Sequence, residues 1–261
     1  MFDYKKILFG FSDSREKKLR AQKHYMMWDM FFYRPLLWHH SLRVAFIIHE
    51  LAPIVKDTLP NCDIEKACVL ALVHDDAEII TGDIPLGHKE LMTRAELQVV
   101  HSNELAAIDV LSGEFPIIIG GYVYRELLLH ALHKDCIEAQ LVSYADKLDA
   151  YCESMHEVLG GNISALWAVI GYVYRLEVFK EKYPLLAPMF RQGGSPFLNL
   201  GVCTNLKRVD WGNYHYLNKP HTLESIEYET DFIFYNLWRK LVVENLGSEG
   251  VYILTTQVEG K

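Results

Sequence analysis

The sequence predicts an all-α protein. Apolar residues recur at the i, i+3, i+4, i+7 spacing of a helix face through most of the first 183 residues. Gly, Pro and Asn punctuate those stretches where helices should stop. Half of the 261 residues are hydrophobic and 23% are charged, so the chain can bury a substantial core without disulfide staples.

Ser14 is positioned to cap a charged helix from about Arg15 toward Tyr33, which Pro35 interrupts. From about Leu37 to Val55, residues Leu37, His40, Val44, Ile47, Ile48 and Leu51 share one face. Pro60 and Asn61 mark a turn, and Asp63 is the expected N-cap of a strongly apolar helix from Ile64 to about Ile80. Thr81-Gly82-Asp83-Ile84-Pro85 ends that helix. Further helices are expected over Glu90–Leu111, Tyr122–His133, Cys136–Leu159 and Ser164–Lys182, with Gly160-Gly161-Asn162 as a stop. The texture changes after Pro184, where Gly and Pro cluster and periodicity fades. A last helix is expected from Leu223 to about Asn245, capped by Thr222, with a short strand over Val251–Thr256. The domain reading is a core over 1–183, including the N-terminal helix, and a C-terminal extension over 184–261 that is partly irregular and ends in a helix.

Charge and cysteine content narrow the function. The chain carries 34 Asp and Glu against 26 Lys and Arg, a net charge of -8. That excludes the basic footprint of a long-nucleic-acid binder but not a nucleotide held by a few cations or a metal. No apolar run approaches the ~20 residues that span a bilayer, so no membrane partner is expected. Asp3, Lys5, Lys6 and the charged stretch from Ser12 to Arg20 leave no signal-peptide core. The five cysteines form no C-x-x-C pair. They read as reduced, buried thiols of a cytoplasmic protein.

Three places set His and Asp on predicted helices. Cys68 to Val73 is an apolar run that leads straight into His74-Asp75-Asp76. Charged residues are seldom buried without partners or a metal. Adjacent helix residues diverge by about 100°, so His74 and Asp75 can reach one ion between their faces. Glu78, four residues on, projects on the side of His74. Asp146 follows Leu141, Val142, Tyr144 and Ala145 within a long helix, and His40 lies in an apolar stripe. Two imidazoles and two carboxylates without thiolate suit one Mn, Co, Fe, Ni or Mg ion better than structural zinc. A core histidine satisfied by the fold remains the competing reading of each residue taken alone.

The series His40, His74-Asp75, Asp146 resembles the H…HD…D signature of HD-domain metal-dependent phosphohydrolases, and its local words resemble the bacterial 5'-deoxynucleotidase branch. His40-Ser41-Leu42-Arg43-Val44-Ala45 is similar to that branch's E-H-S-x-x-V-A. The segment from His74 to Pro85 is similar to its H-D-x-x-E-x-x-T-G-D-x-P. Ala145-Asp146-Lys147-Leu148-Asp149-Ala150-Tyr151 resembles its A-D-x-L-x-A-Y, and Glu157 and Gly161-Asn162 also fit. The resemblance covers about residues 30 to 183 and implies an HD-domain helical bundle there.

The resemblance implies that His40, His74, Asp75 and Asp146 are the metal ligands. Glu78 would handle the proton of the attacking water or of the leaving alcohol. Asp83 would stand near the sugar, although Thr-Gly-Asp is also good turn chemistry. Lys89 would help bind phosphate, against the plain reading of a solvated lysine. The family's Arg-Trp pair lies well upstream of its first histidine; here Arg34, six residues before His40, is the candidate phosphate-binding arginine. No tryptophan matches the family's, which leaves the preference for deoxyribose open. His39 replaces the usual acid and leaves two imidazoles as candidates for one ligand.

The function expected is removal of phosphate from (deoxy)nucleoside 5'-monophosphates by metal-activated water, near neutral pH. The alternatives are a (d)NTP triphosphohydrolase of the same fold and a non-catalytic nucleotide-sensing or interaction protein. The partner expected is a small phosphorylated nucleotide, and a homodimer is the expected assembly.

Overall fold

The computed structural model describes residues 13–24, 36–159, 162, 165–191 and 238. They form helix α1 (Asp13–Ala21), α2 (Leu37–Thr58), α3 (Ile64–Val73), α4 (Glu78–Thr81), α5 (Leu86–Lys89) and α6 (Arg94–Glu114). A hairpin follows, β1 (Ile118–Ile119) and β2 (Tyr122–Val123). Then come α7 (Tyr124–His133), α8 (Ile137–Leu159), α9 (Leu166–Glu177), α10 (Phe179–Lys182) and a 3-10 helix over Pro184–Arg191. The expected all-α class is the one observed.

The hairpin was not foreseen. Gly120 and Gly121 take φ of 56° and 90°, a left-handed pair that only glycine adopts cheaply, and so close a two-residue loop. It pairs Ile118 with Val123 and Ile119 with Tyr122. Helix α1 stops at Ala21 rather than running toward Tyr33, and Lys23 forms a bridge with Leu36. Asp63 is the N-cap of α3 as expected, accepting from the Lys66 amide at 3.0 Å. Helix α6 starts later than expected because Thr93 and Glu96 form a capping box. No helix among the described residues is long and apolar enough to cross a membrane.

The chain divides into two compact units. The first comprises residues 1–29, 34–49 and 62–143. Within it α3 packs on α7, α7 on α6, and α6 on α4. Every residue of α3 from Ala67 to Val73 is buried. An apolar stripe on one side cannot explain that; α3 is enclosed all round, as its uninterrupted hydrophobicity requires.

The second unit comprises residues 30–33, 50–61 and 144–261. Tyr144 meets Phe179 and Phe190 edge-on, with ring centroids 5.1 and 5.3 Å away. Trp238 is fully buried, and its indole N–H donates to the Asp149 carboxylate at 2.7 Å. A residue of the C-terminal extension thus satisfies a buried acid on α8. The expected last helix and the strand over 251–256 otherwise lie outside the described residues.

Candidate metal and phosphate site

The site begins where α3 ends. The uninterrupted helix expected to Ile80 breaks at His74, and the break coincides with competition for two backbone carbonyls. Two carbonyls that an α-helix would offer to the amides of Asp75 and Asp76 are taken by side chains. The Ala71 carbonyl lies 2.7 Å from His74 Nδ1. The Leu72 carbonyl accepts from Arg15 Nη2 at 2.6 Å. The Asp76 amide turns to Val73 instead, at 3.0 Å, and Glu78 to Asp75, at 2.9 Å. Residues 74–77 therefore form a tightened turn, and α4 resumes at Glu78.

Arg15 and Asp76 hold this turn from behind. Both side chains are fully buried. Arg15 Nε donates to Asp76 Oδ2 at 2.7 Å, and Nη2 to Oδ1 at 2.6 Å. Tyr124 donates its hydroxyl to Asp76 Oδ2 at 2.6 Å. Burial, and then the Asp76 charge, push that phenol well above its ordinary range. The third residue of His-Asp-Asp is thereby a fixing point, not a ligand facing the cavity.

His74 and Asp75 face the other way. A carbonyl can only accept, so His74 Nδ1 carries a proton and Nε2 is the ring nitrogen left facing Asp75. That Nε2 lies 3.2 Å from Asp75 Oδ2. His40 Nε2, from fully buried His40 near the start of α2, lies 3.3 Å from the same oxygen. Burial alone would raise the Asp75 carboxyl; the imidazoles of His74 and His40 overcome it and hold the group far below the ordinary carboxylate range. Two imidazole nitrogens converging on one ionised carboxylate are the donor set that a divalent cation of the Mn, Co, Fe or Ni type takes. The residues present therefore fit such an ion.

Glu78, at the start of α4, lines a cavity of about 180 Å³ together with His74, Asp75, Lys89, Glu104 and Lys134. Lys89 is half-buried rather than solvated, and its Nζ donates to Glu104 at 2.9 Å. Burial works against its charge, but the Glu104 carboxylate more than offsets this and holds the ammonium above the ordinary lysine value. Gly82, with φ of 74°, turns the chain after α4 and carries Asp83 back toward Glu78. His24, Glu78 and Asp83 each offer a ligand atom within 4.8 Å of the others.

His24 is the residue that sequence reasoning passed over. It is buried, its Nδ1 is 3.4 Å from Asp83 Oδ2, and its ring stacks on His40 with centroids 4.2 Å apart. Neither His24 nor Arg15 stands in an apolar stripe or a recognisable word, so no local signal marked them. The first unit thus brings together His40, His74, Asp75, Glu78, Asp83 and Lys89. Asp146 belongs to the second unit, where it is half-buried on α8 and its carboxylate pairs with Lys147. Arg34 lies outside the described residues.

A family model described as 5'-deoxynucleotidase YfbR-like matches residues 33–168, the stretch that carries all the expected ligands. A 5'-deoxynucleotidase of Vibrio vulnificus is 30% identical over 132 residues, covering 47% of this chain and 62% of that protein. A 5'-deoxynucleotidase of Cronobacter sakazakii is 32% identical over 133 residues, covering 49% of this chain and 64% of that protein. The match spans less than two thirds of these relatives' length. A crystal structure of a protein from Pyrococcus horikoshii OT3 is 28% identical with a TM-score of 0.49, covering 68% of this chain and 96% of that one.

Proposed function

The chain belongs to the 5'-deoxynucleotidase YfbR-like family, and from that premise we propose that it is a metal-dependent phosphohydrolase that cleaves (deoxy)nucleoside 5'-monophosphates to nucleoside and phosphate. The observation that carries the reading is the approach of His40 Nε2 and His74 Nε2 to one oxygen of Asp75, beside a cavity walled by Glu78 and Lys89. Asp146 is proposed as the fourth ligand, on the strength of its A-D-x-L-x-A-Y word within the matched residues. A divalent ion, when bound, supplies positive charge to a phosphoryl oxygen and makes a neighbouring water acidic enough to attack near neutral pH.

The chain's own residues do the rest. His74 is held in its ligand tautomer by the Ala71 carbonyl. Glu78 takes a proton from the attacking water as the new P–O bond forms, and a proton passes to O5' of the nucleoside as the P–O5' bond breaks. Lys89 places an ammonium at the phosphate, and Arg34 is proposed as a further phosphate contact. Asp83 is proposed at the sugar end, with His24 against it. The cavity is smaller than the ~300 Å³ of pockets that enclose a drug-sized ligand. It suits the phosphate end of a nucleotide, with the base outside.

The test is a nucleotide panel crossed with a metal panel. Protein stripped of metal and resupplied with Mn, Co, Fe, Ni or Mg should release inorganic phosphate from at least one nucleoside 5'-monophosphate. Glu78→Ala should lower turnover by about 10²- to 10⁴-fold with metal binding retained. Tripolyphosphate released from a nucleoside triphosphate would overturn the monoesterase reading. No turnover with any metal would leave a non-catalytic binding protein, and the same panel run through size-exclusion chromatography tests the proposed homodimer.

A further inference from the structure

Lys134 is the single non-glycine residue with positive φ among the described residues. It follows α7 as its C-cap, at φ 53° and ψ 38°. Glycine is the usual residue there, because a Cβ in the left-handed region meets the following carbonyl. A lysine therefore stands where the backbone disfavours any side chain, which calls for a reason.

Helix capping supplies only part of one, through the bond from Nζ to the Ala131 carbonyl. A cation at a helix C-terminus offsets the macrodipole, but any position of the last turn serves that purpose, so it does not single out residue 134. The backbone contacts need no lysine either. Its N–H donates to the His130 carbonyl at 2.8 Å, and its carbonyl accepts from Gln140 Nε2 at 3.1 Å, bonds that glycine would make equally well.

What lysine adds is a side chain that ends in an ammonium, on a residue that lines the cavity. Lys134 lines it with His74, Asp75, Glu78 and Lys89. Its Nζ donates to the Ala131 carbonyl at 3.2 Å, and Ala131 lines the cavity as well. The side chain is thus folded back along the end of α7, onto a residue that shares the cavity lining. Asp75, Glu78 and Glu104 bring three carboxylates to the same space, and Lys89 is engaged with Glu104. An anionic phosphate entering it needs further positive charge.

We propose that Lys134 binds the phosphate of the substrate, as a second cation beside Lys89, held ready by its left-handed backbone. The inference rests on the phosphohydrolase reading above. It gives a role to a residue between the H-D-x-x-E and A-D-x-L words, in neither of them.

Lys134→Gly separates the two roles, because glycine relieves the backbone while removing the ammonium and its bond to the Ala131 carbonyl. In the metal-loaded enzyme, KM for deoxyadenosine 5'-monophosphate should rise roughly 10- to 100-fold, with kcat changed far less. Titration calorimetry with inorganic phosphate should weaken by a similar factor. The melting temperature should stay or rise, and Lys134→Arg should recover most of the affinity. An unchanged KM and an unchanged phosphate affinity in Lys134→Gly would show a cap and nothing more. If the unmodified protein turns over no nucleotide, the phosphohydrolase reading fails by itself. Phosphate calorimetry then still decides Lys134, since equal binding, or none, to both proteins overturns the proposal.

Discussion

Arg15→Ala should destabilise the protein by about 3 to 5 kcal/mol, the cost of breaking a buried ion pair from one side. The structure places this pair at the costly end. Arg15 and Asp76 have no exposed side-chain surface. Arg15 donates two hydrogen bonds to the carboxylate and one to the Leu72 carbonyl, at 2.6 to 2.7 Å. Alanine leaves the Asp76 carboxylate enclosed with the Tyr124 hydroxyl as its hydrogen-bond donor. At about 2 to 4 °C per kcal/mol for a chain of this size, the melting temperature should fall by about 6 to 20 °C. Thermal unfolding followed by circular dichroism reads this directly. The double variant Arg15→Met, Asp76→Leu should recover much of the loss, because it removes the charge together with its partner. Because Arg15 also diverts the Leu72 carbonyl, its loss should loosen the 74–77 turn and weaken Mn affinity in a metal titration. A loss under about 1 kcal/mol would refute the reasoning, since that is the worth of a solvated surface pair.

Two further outcomes follow from the shifted acids. Glu96 accepts the Thr93 backbone N–H and hydroxyl, both at 2.7 Å, and these bonds hold its carboxyl below the ordinary value of 4.5. A depressed folded-state pKa contributes stability above the unfolded value and loses it as pH falls through the folded one. The melting-temperature gap between the unmodified protein and Glu96→Ala should therefore be widest near pH 7 and shrink in acid; a gap independent of pH would refute the capping-box account. Burial first, then Glu138 and Asp63, push the Cys62 thiol from 9.0 up to about 12. At pH 8 its thiolate fraction is about 10⁻⁴, so alkylation by iodoacetamide should run orders of magnitude slower than for a free cysteine. Labelling of Cys62 at the rate of a model peptide would contradict the burial and charge described.

Much of the site could be read in advance because its signals are local. An apolar run such as Cys68–Val73 states that the next polar residues are enclosed, and His74, Asp75 and Glu78 stand at its end. The word from His74 to Pro85 adds Asp83 by position. The order of helices was equally local, since the period of the apolar residues reports which face is buried. What the period could not show was where α3 breaks. That depends on Arg15, far along the chain from Asp76, and on an imidazole that takes a carbonyl from the helix. The Gly120-Gly121 hairpin is too short for any alternation to register.

By itself, the sequence determined the all-α class, the residue types able to hold a cation, and membership of a family with a recognisable ligand series. Tertiary structure alone decided that Asp76 is a buried anchor and Asp75 the inward carboxylate, that His24 lies against Asp83 and His40, and that Lys134 joins the cavity. The physical reason is that a pattern along the chain records how much of a side chain is buried. Which group it is buried against is chosen by packing between segments that the chain does not place side by side.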